Sequence, residues 1–231
     1  MPWEQRTPHV KWLRTRAIRL LLCAAPSALL GCGPQRPNID YYLSSRADLQ
    51  RIRRVVFVDL SQESSFPAIS DDMSEALFQA LQGGNFFHID RIARDDPHCR
   101  DLPLDARQAF TVKDLAAMRE AFGCDALLFG RVSHFRSYPR MQIGLFLRLL
   151  DLKEGKLVWG VENIWDTTDK TIENRAKEFY EKQMRSGYEP AEWSLLMKSP
   201  KAFQKFVAFE VAGTLTYERR QAGRKPGIFG I

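Results

Sequence analysis

Between Cys124 and Trp165 the chain reads CDALLFGRVSHFRSYPRMQIGLFLRLLDLKEGKLVWGVENIW, a dense run of strand-forming residues that restricts the fold more than any other segment. Ala126 to Phe135 opens with a solid apolar run, Ala126 to Phe129, and then turns mixed, as a strand does when it is buried on both faces only at its start. Tyr138, Pro139 and Arg140 supply a turn. Met141, Ile143, Leu145, Leu147 and Leu149 then alternate onto one face, with Gln142, Gly144 and Arg148 interrupting the other. DLKEGK, Asp151 to Lys156, is a hairpin connection whose Gly155 can take a positive φ. Leu157 to Trp165 returns antiparallel. The segment predicts a three-stranded meander.

Upstream, the pattern predicts two strand and helix pairs. Val55 to Leu60 is a short apolar run suited to an interior strand. Ser70 or Asp71 caps a helix carrying Met73, Ala76, Leu77, Ala80 and Leu81 at helical spacing, which Gly83-Gly84 ends. Phe86 to Ile92 is a second strand, and Ala93 to Phe110 a long loop. Thr111 and Asp114 open a helix as a capping box, Leu115, Met118 and Phe122 make its buried stripe, and Gly123 closes it. The fold class is therefore α/β, in the order β-α-β-α-β-β-β, a mixed sheet with helices packed on it and further C-terminal helices.

The N-terminal segment fixes the expected address. Lys11, Arg14, Arg16 and Arg19 precede an apolar run, Leu20 to Leu30, too short for a membrane span of about 20 residues. Leu29-Leu30-Gly31-Cys32 resembles the bacterial lipobox, which implies removal of residues 1–31 and a lipid on Cys32. Gly33 after the cysteine resembles an outer-membrane sorting signal. The net charge of +6 loses its hint of nucleic acid here, because residues 1–31 hold five cations against Glu4, and the chain without them keeps +2. The expected boundaries are a lipidated tether over 32–52, an α/β domain over 53–165, C-terminal helices over 166–218 and a basic tail over 219–231. Tyr41, Tyr42 and Leu43 are the tether's apolar cluster, placed to dock on the domain or on a partner.

The wording of the domain also resembles a family group. A first strand VVFVDL, a helix before GCDALLFGRV (Gly123 to Val132), and LLDLKEGKLVW (Leu149 to Trp159) are similar to lipoproteins of the curli-secretion-channel type, outer-membrane lipoprotein activators of peptidoglycan synthases, and the N-terminal domain of TolB. The resemblance implies a periplasmic, membrane-anchored domain with an envelope protein partner in secretion or cell-wall synthesis. Its channel members suggest homo-oligomers. Their pore-forming strand pairs of about 9 to 11 alternating residues are not found here, since Ser61 to Ile69 and Ala93 to Phe110 are polar and proline-bearing.

In the last third, Lys170 to Met184 reads as a largely solvated helix and Tyr188 to Trp193 as a break. Pro200 opens a helix whose Phe203, Phe206, Val207, Val211 and Leu215 should cover a face of the sheet. The chain carries no glycine-rich phosphate loop, H-E-x-x-H, G-x-S-x-G or paired CxxC, so no catalytic residue, cofactor or metal is expected. His98-Cys99 with Cys124 lacks the spacing of a zinc site. In an oxidising compartment Cys99 and Cys124 could form a disulfide, with two separate buried thiols the open alternative. Asp59, Asp90 and Asp151 stand at strand ends, where turn capping is the usual role of a carboxylate. Two functions remain. One is a lipid-tethered interaction module using a sheet edge or the aromatic residues Trp165, Tyr188 and Trp193, with Trp159 left to the core. The other is a small-molecule or hydrolytic site between the sheet and the C-terminal helices.

Overall fold

The computed structural model describes residues 38–62, 68–100, 104, 110–184 and 192–222. The expected interior strand is β2 (Arg54–Val58), where Val55 to Val58 are all buried. Val55 and Phe57 point into one core layer, Val56 and Val58 into the other. β4 (His88–Ile92) and β5 (Ala126–Arg136) pair parallel to β2 on either side. Asp125 ties the start of β2 to that of β5, its Oδ2 accepting the amides of Arg53 and Arg54, both at 3.0 Å. β6 (Gln142–Asp151) and β7 (Lys156–Asp166) complete the antiparallel meander. Its tight turn places Gly155 at φ 65°, with Asp151 Oδ1 accepting the amides of Lys153 and Glu154 at 2.7 and 3.0 Å.

Two short strands extend the expected sheet. β1 (Tyr41–Leu43) pairs antiparallel with β7, and β3 (Ser61–Gln62) lies parallel to β5. The sheet is seven-stranded, ordered β1-β7-β6-β5-β2-β4 with β3 beside β5. Residues 38–52, read from sequence as tether, pack on the sheet instead: Ile39 and Ile52 are buried, and α1 (Arg46–Arg51) follows β1. Charge fixes this segment. Tyr41 Oη donates to Glu218 at 2.6 Å, Arg46 pairs with Glu218 at 2.6 Å, and Lys156 Nζ pairs with Asp48 at 2.7 Å.

The helices divide between the two faces. α2 (Ala68–Gly84) starts two residues before the expected cap, because Ile69 joins the buried stripe of Met73, Ala76, Leu77 and Leu81. Past its end, Asn85 takes the left-handed conformation (φ 49°). α5 (Lys170–Phe179) is less solvated than its charge suggests, since Ile172, Ala176 and Phe179 fall on one buried line and a π turn, Tyr180–Met184, continues it. α6 (Trp193–Leu196) is short, and α7 (Pro200–Ala222) lays Phe203, Phe206, Val207, Val211 and Leu215 into the core as expected. On the opposite face sit α3 (Pro97–Arg100) and α4 (Val112–Phe122). The capping box is present in α4: Asp114 accepts the Thr111 amide at 2.8 Å and Thr111 Oγ1 the Asp114 amide at 3.2 Å, while Gly123 closes the helix at φ 56°.

The disulfide is not formed. Cys99 and Cys124 are both free thiols, buried in the same layer as Val56, Met118, Leu127 and Phe129. Burial lifts both above the ordinary thiol range, Cys99 to about 11. They pack there as small apolar groups.

Candidate functional site: an open sheet face

Strand alternation gives the meander two faces of different character. On one, Ile143, Leu145, Leu147 and Leu149 of β6 meet Trp159, Val161 and Trp165 of β7 beneath α7. Among the described residues the other is covered by α3, Leu104 and α4, over β2 and the near ends of β5 and β6, where Phe129 meets Phe110 edge-on at 5.5 Å. Across the rest of β6, β7 and β1, Phe146, Arg148, Glu162, Ile164 and Tyr42 face outward among the described residues.

The centre of that face is Phe146, half-buried, directly opposite Arg131 on β5 and Glu162 on β7. The Arg131 and Arg148 guanidinium carbons lie 4.8 and 5.0 Å from the centre of its ring. Cation–π attraction of this kind holds both side chains against the aromatic, and Arg148 is the more exposed of the two. The next cross-strand row is Arg148, Gly160 and Tyr42. Gly160 has no side chain between its larger neighbours, and a Cβ there would lie 3.0 Å from the Leu147 carbonyl oxygen. The gap opens a groove of about 430 Å³, walled by Asp40, Tyr42, Phe146, Arg148 and Glu162. Tyr42 is 50% and Ile164 57% exposed. Asp40, Arg148 and Glu162 enter no ion pair among the described residues.

At the far end of the face, His134 Nε2 lies 3.0 Å from Gln142 Oε1, and Gln142 Nε2 donates to Asp166 at 2.5 Å. Hydrogen bonds from Thr168 and Gln142 hold the Asp166 carboxyl below its usual range, against the desolvation that raises it. Asp166 caps the turn after β7 by accepting the Thr168 amide at 2.8 Å. The chain of groups braces the sheet end.

The sequence-derived site residues do not gather here. Trp165 is fully buried, so it is withdrawn as a partner-binding residue; its Nε1 donates to Glu210 of α7 at 2.7 Å. Trp165 lies six residues from Trp159 and shares its strand parity, the signal that assigns it to the core. Trp159 Nε1 likewise donates to Thr214 at 3.0 Å. Trp193 is partly exposed on the opposite side of the molecule, with Lys177 5.7 Å from its ring centre. Cys32 and Tyr188 lie outside the described residues.

Among the described residues, the space between the sheet and α7, where a pocket was the alternative expectation, holds Trp159, Trp165, Phe203 and Phe206, and both indoles donate their N–H to α7. The strand-end carboxylates are occupied separately. Asp59 pairs with Arg91 at 2.6 Å, Asp90 with Arg54 at 3.1 Å, and Asp151 caps its hairpin. His98 Nδ1 is 2.8 Å from Asp96, and no group of three or more His, Cys, Asp or Glu among the described residues is placed to hold a metal. No described helix is long and apolar enough to cross a membrane.

Sequence reasoning missed Phe146, Arg131 and Ile164. Phe146 had a legible signal, since it stands out of phase with the apolar line of Ile143 to Leu149, on the face that Arg148 marks as polar.

No family model matches the chain, and no curated protein sequence matches it. Solved structures do. The chain is similar to a PelC dodecamer protein from Paraburkholderia phytofirmans at 13% identity and TM-score 0.47, covering 77% of this chain and 95% of that one. It is similar to the LpoB C-terminal domain from Salmonella enterica at 15% identity and TM-score 0.35, covering 52% and 91%. It is also similar to lipoprotein GNA1162 from Neisseria meningitidis at 16% identity and TM-score 0.34, covering 49% and 79%.

Proposed function

We propose that this chain is a lipid-anchored envelope module that engages a protein partner through its open sheet face and catalyses no reaction itself. The observation that carries the reading is the Phe146 cluster. Two guanidiniums over one ring, beside a glycine-floored groove whose charges of both signs enter no ion pair among the described residues, form a surface outside the buried core. Aromatic and arginine side chains are the commonest anchors of protein interfaces. A partner segment with an apolar side chain for the groove and a carboxylate for Arg148 fits this chemistry.

The anchor rests on Leu29-Leu30-Gly31-Cys32. Acyl chains at about 0.8 kcal/mol per buried methylene would hold Cys32 stably in a leaflet. Six residue steps separate Cys32 from Asn38, and such a length of chain reaches at most roughly 20 Å, so a lipid on Cys32 would keep the domain near the membrane. The outer-membrane address is supported by Gly33, and a secretion or cell-wall component as partner by the family resemblance of residues 53–165. A ring of copies is the homo-oligomeric form of the same reading. The non-enzymatic reading is supported by strand-end carboxylates that face separate cations and turns.

Affinity capture of the lipidated protein from envelopes tests this. The expected result is one envelope protein recovered with the parent, lost from Phe146→Ser, and a Cys32→Ala chain that moves to the soluble fraction. Recovery unaffected by Phe146→Ser contradicts the surface; membrane association unaffected by Cys32→Ala contradicts the anchor.

A further inference from the structure

The outward side of α7 carries a line of cations and no exposed acid of its own. Lys201, Lys205 and Phe209 recur at intervals of four along it, Lys198 precedes them, and Thr216 and Arg220 continue the line. Lys198, Lys201, Lys205 and Arg220 enter no ion pair among the described residues, whereas on α5 Lys170 pairs with Glu173 and on the π turn Lys182 pairs with Glu178. The two carboxylates of α7 turn inward and are satisfied: Glu210 by Arg175 at 2.6 and 3.0 Å and by Trp165, Glu218 by Tyr41 and Arg46. Within this positive line Phe209 is 44% exposed, its ring 4.9 Å from that of Phe179, and Leu195 of α6 is 43% exposed. Exposed acids on the neighbouring elements are Glu181 of the π turn, Glu192 before α6, Asp71 of α2, and Glu75 and Glu178, the last two in ion pairs with Arg91 and Lys182.

A basic line with one protruding aromatic suits a lipid surface better than a packed protein partner. Lysines keep their ammonium at the headgroups while the ring reaches the acyl boundary. The described start of the chain also touches this side: Ile39 is buried in the core layer beneath α7 and Tyr41 donates to Glu218 of that helix.

We infer that the outward face of α7 rests on a leaflet bearing anionic headgroups, through Lys198, Lys201, Lys205, Arg220 and Phe209. The inference extends the anchor reading and adds an orientation. Because α7 covers the face of the sheet opposite the Phe146 groove, this seating turns the groove away from the membrane, toward a partner. Each cation near such a leaflet strengthens binding roughly fivefold, and salt weakens it.

The test places a nitroxide on Phe209→Cys in the lipidated protein, reconstituted in vesicles of phosphatidylcholine alone or mixed with phosphatidylglycerol; Lys205→Cys carries the label if the first variant does not fold. A water-soluble relaxant reports exposure, and unsubstituted protein gives the background of the native thiols. The expected result is a protected label in mixed vesicles, an exposed one in phosphatidylcholine, and a label at Ile164→Cys exposed in both. Lys198→Glu with Lys201→Glu should lower the ratio of protected to exposed label about twentyfold or more. Equal exposure of the α7 label in both vesicles, or protection at Ile164→Cys instead, overturns the inference. Failure to sediment with phosphatidylcholine vesicles contradicts the Cys32 anchor alone, and the label then reads α7 seating on added mixed vesicles.

Discussion

The two faces of β6 and β7 carry the same alternation and meet opposite fates. Toward α7, Ile143, Leu145, Leu147, Trp159 and Trp165 are each at most 1% exposed. Toward the other side, Phe146 and Arg148 are partly exposed, and Ile164 and Tyr42 largely so. The first face pays for the fold, and the second is left free to be complementary to something else. A large ring held by two arginines, on a part of the face that no described helix covers, is the mark of that freedom.

Mutations should separate the faces by size of effect. Phe206→Ala, in the α7 core, should cost about 3–5 kcal/mol in urea unfolding, through lost burial and the cavity left behind. A loss under 1 kcal/mol would mean that α7 is not held by this core. Thr111→Ala removes a helix cap and should cost about 1 kcal/mol, with the open face and its partner unaffected.

α1 adds a pH-dependent contribution of its own. Asp48 is held well below the usual carboxylate range, first by Lys156 and then by Ser45, Ser44 and Arg51. A carboxylate lowered in the folded state contributes stability above the unfolded value of about 3.9, and that contribution fades as pH falls toward the folded value. Asp48→Asn should therefore unfold more easily than the parent at neutral pH, and the two should converge below about pH 4. A difference that stays constant across that range contradicts the ion pair with Lys156.

The asymmetry of the faces was half legible in the sequence. The alternation of Met141 to Leu149 announced the α7 face, and the α4 capping box was readable because Thr111 and Asp114 lie three residues apart. Tyr41 to Leu43 were readable as a docking cluster but not as a strand, since three residues without clear alternation find their partners on β7 and at Glu218, 177 positions from Tyr41. The open face was visible only as irregularity in β6. Whether Phe146 is covered depends on where α4 lies over the sheet, and local spacing carries no record of that. Trp165 was misplaced for the opposite reason: an aromatic near a strand end reads as surface until its parity with Trp159 is followed.

The smallest expected effect on stability belongs to the open face, where Ile164→Ser should change unfolding by no more than about 0.5 kcal/mol. The most direct test of the account uses that position. A photoreactive side chain at Ile164, compared with one at exposed Gln79 on α2, is activated in intact envelopes carrying the lipidated protein. The account predicts an adduct with one envelope protein, or with a second copy of this chain, from Ile164 and not from Gln79, lost when Phe146→Ser is added. The same adducts from both positions, or none from Ile164, would contradict the claim that the uncovered sheet face is the binding surface.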